Sequence, residues 1–126
     1  MRTVLDASAL LALLHREPGW EKVHSVIEGS GICTINWCEA IQKIGAKGLD
    51  TGGLRASLEE LGLFIIPFSV EHAELAASLW KSTRQQGLSL ADRACLAVAI
   101  GNKAPVYTAD KAWTNLGLDL DIQLLR

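Results

Sequence analysis

Four carboxylates, Asp6, Glu39, Asp92 and Asp110, each stand where a short apolar run gives way to a helical pattern. Asp6 ends the run Thr3–Asp6, and Glu39 lies one turn into the helical pattern after Gly31–Thr34. Asp92 falls in the first turn of Ser89 to Ile100, which is otherwise apolar nearly all round, and Asp110 follows Pro105–Thr108. Ligand sites in open α/β sheets form outside the carboxyl ends of the strands. Four acids from four separate segments therefore map to one edge, with no histidine among them. Carboxylates crowded together repel one another unless a cation lies between them. An all-oxygen donor set suits hard ions such as Mg²⁺ or Mn²⁺. Such ions polarise a phosphate, activate a water and stabilise the leaving oxygen. The expected chemistry is metal-assisted phosphodiester hydrolysis.

Each acid taken singly has a purely structural explanation. Asn36 and Glu39 have the spacing of a capping box, as do Ser89 and Asp92. Asp110 could cap a following helix, and Asp6 competes with Ser8 to cap the first one. Acids favour first helical turns because of the helix dipole. Only the joint placement points beyond capping, above all Asp92 in a helix otherwise too apolar to welcome it.

The elements that must position these acids alternate along the chain. Strands are expected at Thr3–Asp6, Gly31–Thr34, Leu63–Ile66, Pro105–Thr108 and Asp121–Leu125. Between them lie helical patterns: Ser8 to about Glu17, stopped near Pro18–Gly19; Trp20, Val23 and Ile27; Trp37, Ala40, Ile41 and Ile44; and Leu54, Leu58 and Leu61. Ser69 is expected to cap a helix with Val70, Ala73, Ala77 and Trp80 inward. Ser89–Ile100 reads as a central buried helix, and a short helix should follow Asp110. Strands separated by helices imply a parallel sheet covered on both faces. The expected fold class is α/β, a three-layer α/β/α sandwich with a central parallel sheet, formed by residues 1–126 as one domain.

Composition agrees with a globular chain: of 126 residues, 49% are hydrophobic and 21% charged. No apolar run reaches the roughly 18 residues needed to span a membrane. Met1–Arg2 passes directly into Val4–Leu5–Asp6 without a leader-like segment, so a cytoplasmic protein is expected. Cys33, Cys38 and Cys95 lack zinc-site spacing and are expected to be reduced, small buried hydrophobes. The net charge of −2 is not the basic footprint of a nucleic-acid protein. Setting four site carboxylates aside leaves 12 basic residues against 10 acidic ones, so the charge neither supports nor excludes nucleic acid.

The segments Val4-Leu5-Asp6-Ala7-Ser8-Ala9-Leu10, Asn36-Trp37-Cys38-Glu39, Gly87 to Ala97 with Asp92 and Arg93 at its centre, and Tyr107-Thr108-Ala109-Asp110 resemble the PIN domains of VapC-type toxins. The resemblance covers nearly the whole chain, in order. It implies a divalent-metal endoribonuclease, the toxin of a toxin–antitoxin pair, with Mg²⁺ or Mn²⁺ as cofactor. It also implies RNA as substrate, a homodimer, and a small VapB-like antitoxin as partner. In that reading Asp6 is the central metal ligand. Asp92 and Asp110 bind metal directly or through water, and Glu39 binds metal or orients the attacking water. Ser8 and Thr108 resemble hydroxyl positions that hold the carboxylates in place. The one departure is Ala91, at a position associated with glycine.

Arg93 and Lys111 each follow one of the acids and are candidates for RNA phosphate contacts, or else surface charges. His15, His24 and His72 are expected on solvated helix faces, away from the acids. Trp20, Trp37, Trp80 and Trp113 are read mostly as core, with Trp20 and Trp37 also interface candidates. Other enzymes on similar sheets fit less well. A haloacid-dehalogenase-type phosphatase needs Asp-x-Asp where this chain has Asp6-Ala7-Ser8, and a response-regulator receiver needs adjacent acids after the first strand. A PIN-type ribonuclease of RNA processing without an antitoxin, and a non-catalytic RNA- or protein-binding module, are the alternative readings.

Overall fold

The structure, a computed structural model, describes residues 2–126. Five parallel strands form one sheet: β1 (Thr3–Leu5), β2 (Ser30–Cys33), β3 (Phe64–Ile66), β4 (Val106–Thr108) and β5 (Ile122–Leu124). Their spatial order is β3-β2-β1-β4-β5, which puts β1 at the centre. Every residue of β1 and β2 is buried, as expected of parallel strands covered on both faces.

The period-two alternation of the strands sorts side chains into two cores. Leu5 is in register with Ile32 and with Tyr107, and Ile32 with Ile65. This row meets α1 (Ala7–His15), α2 (Trp20–Val26) and α4 (Leu54–Glu60) through Leu10, Val23 and Leu58. One residue along, Val4, Cys33 and Val106 point the other way. They meet α7 (Leu90–Gly101), whose residues Ala94–Ala99 are all buried, together with Leu79 and Trp113. The three-layer α/β/α sandwich is the observed fold. No helix among the described residues is long and apolar enough to cross a membrane.

The helix α3 (Thr34–Ala46) follows β2 without a loop and contacts both α1 and α7, helices from opposite layers. It begins three residues earlier than a cap at Asn36 requires. Cys33 is its N-cap and Asn36 lies inside it, so Asn36 and Glu39 form no capping box.

The expected inner face of α5 (Val70–Ser78) is corrected. Val70 is 72% exposed, Ala73 and Ala77 are exposed, and Trp80 is 49% exposed. Ala76 and Leu79 are buried instead. The side that packs is His72, Leu75, Ala76, Leu79 and Thr83, one 3.6-residue stripe that continues through the turn after α5. Ser69 and His72 close a capping box that fixes the start of α5, and a turn at Leu79 separates it from the short α6 (Trp80–Thr83). Val70, Ala73, Ala77 and Trp80 share a helical face too, but Leu75 and Leu79 lie on the other one, and these larger apolar side chains decide which face is turned inward. Trp80 is thus not core, whereas Trp113 is fully buried and Trp20 and Trp37 are half-buried. Cys33 and Cys95 are buried as expected, but Cys38 is exposed, on the side of α3 away from Ala40 and Ile44.

Gly19, which opens α2, shows how tightly the ends are joined. Its φ is +92°, and an added Cβ would fall 2.7 Å from the Cβ of Leu125 and 2.8 Å from its carbonyl carbon. Gly19→Ala combines left-handed strain with a backbone clash and should cost about 2 kcal/mol or more. A melting temperature lowered by at least about 5 °C is expected by circular dichroism. An unchanged melting temperature would show that the ends of the chain yield freely.

Candidate active site

Asp6 occupies the first position beyond the central strand and is only 4% exposed. Its Oδ1 caps α1 by accepting from the Ala9 N–H at 2.8 Å, and also accepts from the Ser8 hydroxyl at 2.7 Å. Its Oδ2 accepts from the Thr108 hydroxyl at 2.6 Å. Both hydroxyls are themselves oriented. Ser8 Oγ accepts from the Ala109 N–H at 2.9 Å, and Thr108 Oγ1 from the Asp110 N–H at 3.0 Å. With those lone pairs occupied by backbone donors, each hydroxyl proton is aimed at Asp6. The turn after β1 and the turn after β4 are thereby joined through one carboxylate.

Burial disfavours the charge on Asp6. Desolvation raises its pKa from 3.8 to about 6, against the opposing hydrogen bonds of Thr108, Ser8 and Ala9, and repulsion from Asp92 adds to the rise. The neighbouring thiol of Cys95, fully buried on α7, reports the same crowding. Burial pushes its pKa well up, and Asp6, Cys33, Asp92 and Glu39 push it further. Three of the four acids thus act on one buried point between β1 and α7, while Asp110 is joined to them through Thr108.

The other acids keep part of their capacity free. Asp92 completes a capping box with Ser89, accepting from the Ser89 N–H through Oδ2 at 2.9 Å. Asp110 caps the 3₁₀ turn Lys111–Asn115, accepting from the Ala112 N–H through Oδ1 at 2.9 Å. The capping explanations for Asp6, Asp92 and Asp110 therefore hold, and that for Glu39 does not. Glu39 is half-buried on α3 and 3.7 Å from Lys43. Among the described residues no basic side chain pairs with Asp6, Asp92 or Asp110.

These features fit a hard divalent cation. The donors are oxygens only, the central one is a desolvated carboxylate without a counter-charge, and Asp92 and Asp110 each bond to the protein through one oxygen of two. The acids are not drawn into a finished cage, for among the described residues no three His, Cys, Asp or Glu side chains converge closely enough for one.

Arg93, half-buried, has a buried Nε without a hydrogen-bond partner, and Lys111 is exposed at the start of the 3₁₀ turn. Asn36, fully buried, matters more than its sequence position suggested. Its Nδ2 donates to the Ala91 carbonyl at 3.0 Å, pinning α3 to the first turn of α7 beside Asp92. Its spacing of three from Glu39 was a signal for a shared helix face, which capping had obscured. The histidines are also redistributed. His24 is exposed, but His72 Nδ1 accepts from the Ser69 N–H. His15 is half-buried at the last residue of α1, about 13 Å along the helix from Asp6, and lines a groove that begins at Ser8.

A raised carboxyl pKa stabilises the fold fully below pH 3.8, and that contribution is lost as the pH rises through about 6. The displacement is worth about 3 kcal/mol. In chelating buffer, Asp6→Asn should therefore melt above wild type at neutral pH, with the gap closing near pH 4. Thermal melts of both proteins across that range check this. A gap independent of pH, or a less stable variant throughout, would mean that the Asp6 charge is not strained.

No curated protein sequence matches this chain. Solved structures do. A chain of a toxin–antitoxin complex from Klebsiella pneumoniae superposes with a TM-score of 0.73 at 20% identity, covering 91% of this chain and 92% of that one. VapC20 of Mycobacterium tuberculosis, a sarcin–ricin loop cleaving toxin, gives 0.74 at 14% identity, covering 92% and 95%. VapBC-1 of nontypeable Haemophilus influenzae gives 0.71 at 19%, covering 99% and 98%. At such identities the likeness is one of fold. The sequence pattern of the PIN domain itself matches residues 3–117, spanning all four acids and the two hydroxyls that hold Asp6, and the chain belongs to the PIN-domain family.

Proposed function

We propose that this protein is a Mg²⁺- or Mn²⁺-dependent endoribonuclease, the toxin of a type II toxin–antitoxin pair. The observation that carries the reading is the Asp6 carboxylate, buried without a counter-charge at the end of the central strand and within the field of Asp92. A divalent cation, when bound, supplies Lewis acidity toward the phosphate and lowers the pKa of a coordinated water. The protein's own residues divide the remaining work. Asp6 is the central ligand, and Ser8 and Thr108 fix its rotamer. Asp92 and Asp110 offer their free oxygens across the gap. Glu39, steadied by Lys43, orients the attacking water. Arg93 and Lys111 take the substrate phosphates.

RNA as the substrate is supported by the description of VapC20 as a sarcin–ricin loop cleaving toxin. A small antitoxin partner is supported by the toxin–antitoxin complex among the structural relatives. Pairing of two copies is supported by the apolar side chains of Val70 and Trp80, which the single chain leaves exposed.

The test is cleavage of end-labelled total RNA with Mg²⁺, with Mn²⁺ and with EDTA. Metal-dependent fragments are expected from the wild type and none from Asp6→Asn. Ser8→Ala and Thr108→Val should weaken metal binding by about 10–100-fold. Independently of activity, Mg²⁺ should raise the melting temperature of the wild type and leave that of Asp6→Asn unmoved. Equal cleavage by Asp6→Asn, or an identical thermal response to Mg²⁺, would remove the metal-site reading.

A further inference from the structure

A second feature leads away from the acids. Between α1 and α3 lies a groove of about 320 Å³, within the range of small-ligand pockets. One wall is α1, with Ser8, Leu11 and His15 at helical spacing; the other is α3 and its C-cap, with Lys43, Ala46 and Lys47. Both walls start at the acidic site. Ser8 donates to Asp6, and Lys43 reaches back to Glu39.

The lining is mostly apolar, with charged groups along it. Leu11 and Ala46 supply apolar surface, and Lys43 and Lys47 place two ammonium groups on one wall. Four residues along a helix is about 6 Å, comparable with the separation of successive phosphates in an extended strand. Glu17, the one acid of the lining, is 4.0 Å from Arg126, which offsets its charge. His15 stands in this groove with its Nδ1 buried and without a hydrogen-bond partner. The residue as a whole is half-buried, so another part of its ring faces the groove.

We propose that this groove is a subsite for the RNA strand next to the scissile phosphate, an assignment that rests on the ribonuclease reading above. Lys43 and Lys47 hold consecutive backbone phosphates of single-stranded RNA. One base lies over Leu11 and Ala46, against the part of the His15 ring that faces the groove. Charge complementarity and continuity with the acidic site favour a nucleic-acid strand over a protein segment. The single lysine step and small volume favour one nucleotide over a duplex. The groove thereby determines which nucleotide is accepted beside the cut.

The experiment has two parts. The first is anisotropy of a fluorescein-labelled, mixed-sequence single-stranded RNA with wild type, Lys47→Ala, His15→Leu and the distant control Lys103→Ala, in EDTA so that nothing is cut. Lys47→Ala should weaken binding several-fold and make the logarithmic salt dependence shallower by about 0.7. His15→Leu should weaken binding with the salt dependence unchanged, and Lys103→Ala should bind as wild type. Lys47 is exposed, so its variant tests the groove even if His15→Leu folds poorly. The second part is cleavage kinetics with Mg²⁺ on total RNA, where Lys47→Ala should raise KM and spare kcat. If wild type cleaves but both groove variants bind and cleave like wild type, the subsite is wrong while the ribonuclease stands. If wild type neither binds RNA nor cleaves it, the ribonuclease reading fails and the subsite with it. If the groove variants lose only affinity for a protein partner, the groove is a protein-docking surface and the proposal is overturned.

Discussion

A carboxylate placed at the end of the innermost strand of a parallel sheet meets two opposing demands. The strand must be dry to hold the two cores together, and Val4 and Leu5 are fully buried. The next side chain must nevertheless carry a negative charge if it is to bind a cation. Asp6 meets both demands with three short hydrogen bonds and no counter-ion among the described residues. Its acceptors start α1, its hydroxyl partners fix the ends of β1 and β4, and its strain appears as a raised pKa. The surrounding edge is built around that one uncompensated group.

The opposite wall of the edge depends on α7. An almost wholly apolar helix can lie against the centre of the sheet only if its polar residues gather at its end, and Asp92 is spent there on a capping box with Ser89. Asn36 then fixes α7 relative to α3 through the Ala91 carbonyl. The same helix α3 carries Glu39. One buried amide therefore relates two acids from distant segments. The thiol of Cys95 lies beneath them and experiences both, which makes its ionisation unfavourable and its chemistry inert.

Interior and surface divide the molecule's tasks. The interior aims carboxylates with hydroxyls and backbone donors, groups that add no charge. The positive charges, Lys43, Lys47 and Lys111, lie on the exposed rims instead. Basic groups within the site would compete with a cation, whereas basic groups around it attract a polyanion. A net charge of −2 is compatible with that separation, because the two sets of charges lie in different places.

The sequence by itself determined the order of strands and helices along the chain and the three-layer class, and it singled out four acids and two hydroxyls as candidates, of which Ser8 and Thr108 bond to Asp6. Period-two and 3.6-residue patterns and capping residues are local signals, readable without neighbours. It also supplied the capping roles of Asp6, Asp92 and Asp110, which the structure bears out. What it misplaced required knowing which neighbour each element meets. The face of α5 was decided by Leu75 and Leu79 rather than by the alanines opposite, and Asn36 turned from cap to clamp because α3 starts directly from β2. Cys38 was left outward by the same helix, and His15 was half-buried in the groove between α1 and α3. Only the tertiary structure could raise the pKa of Asp6, because desolvation is a property of the surroundings and not of the residue.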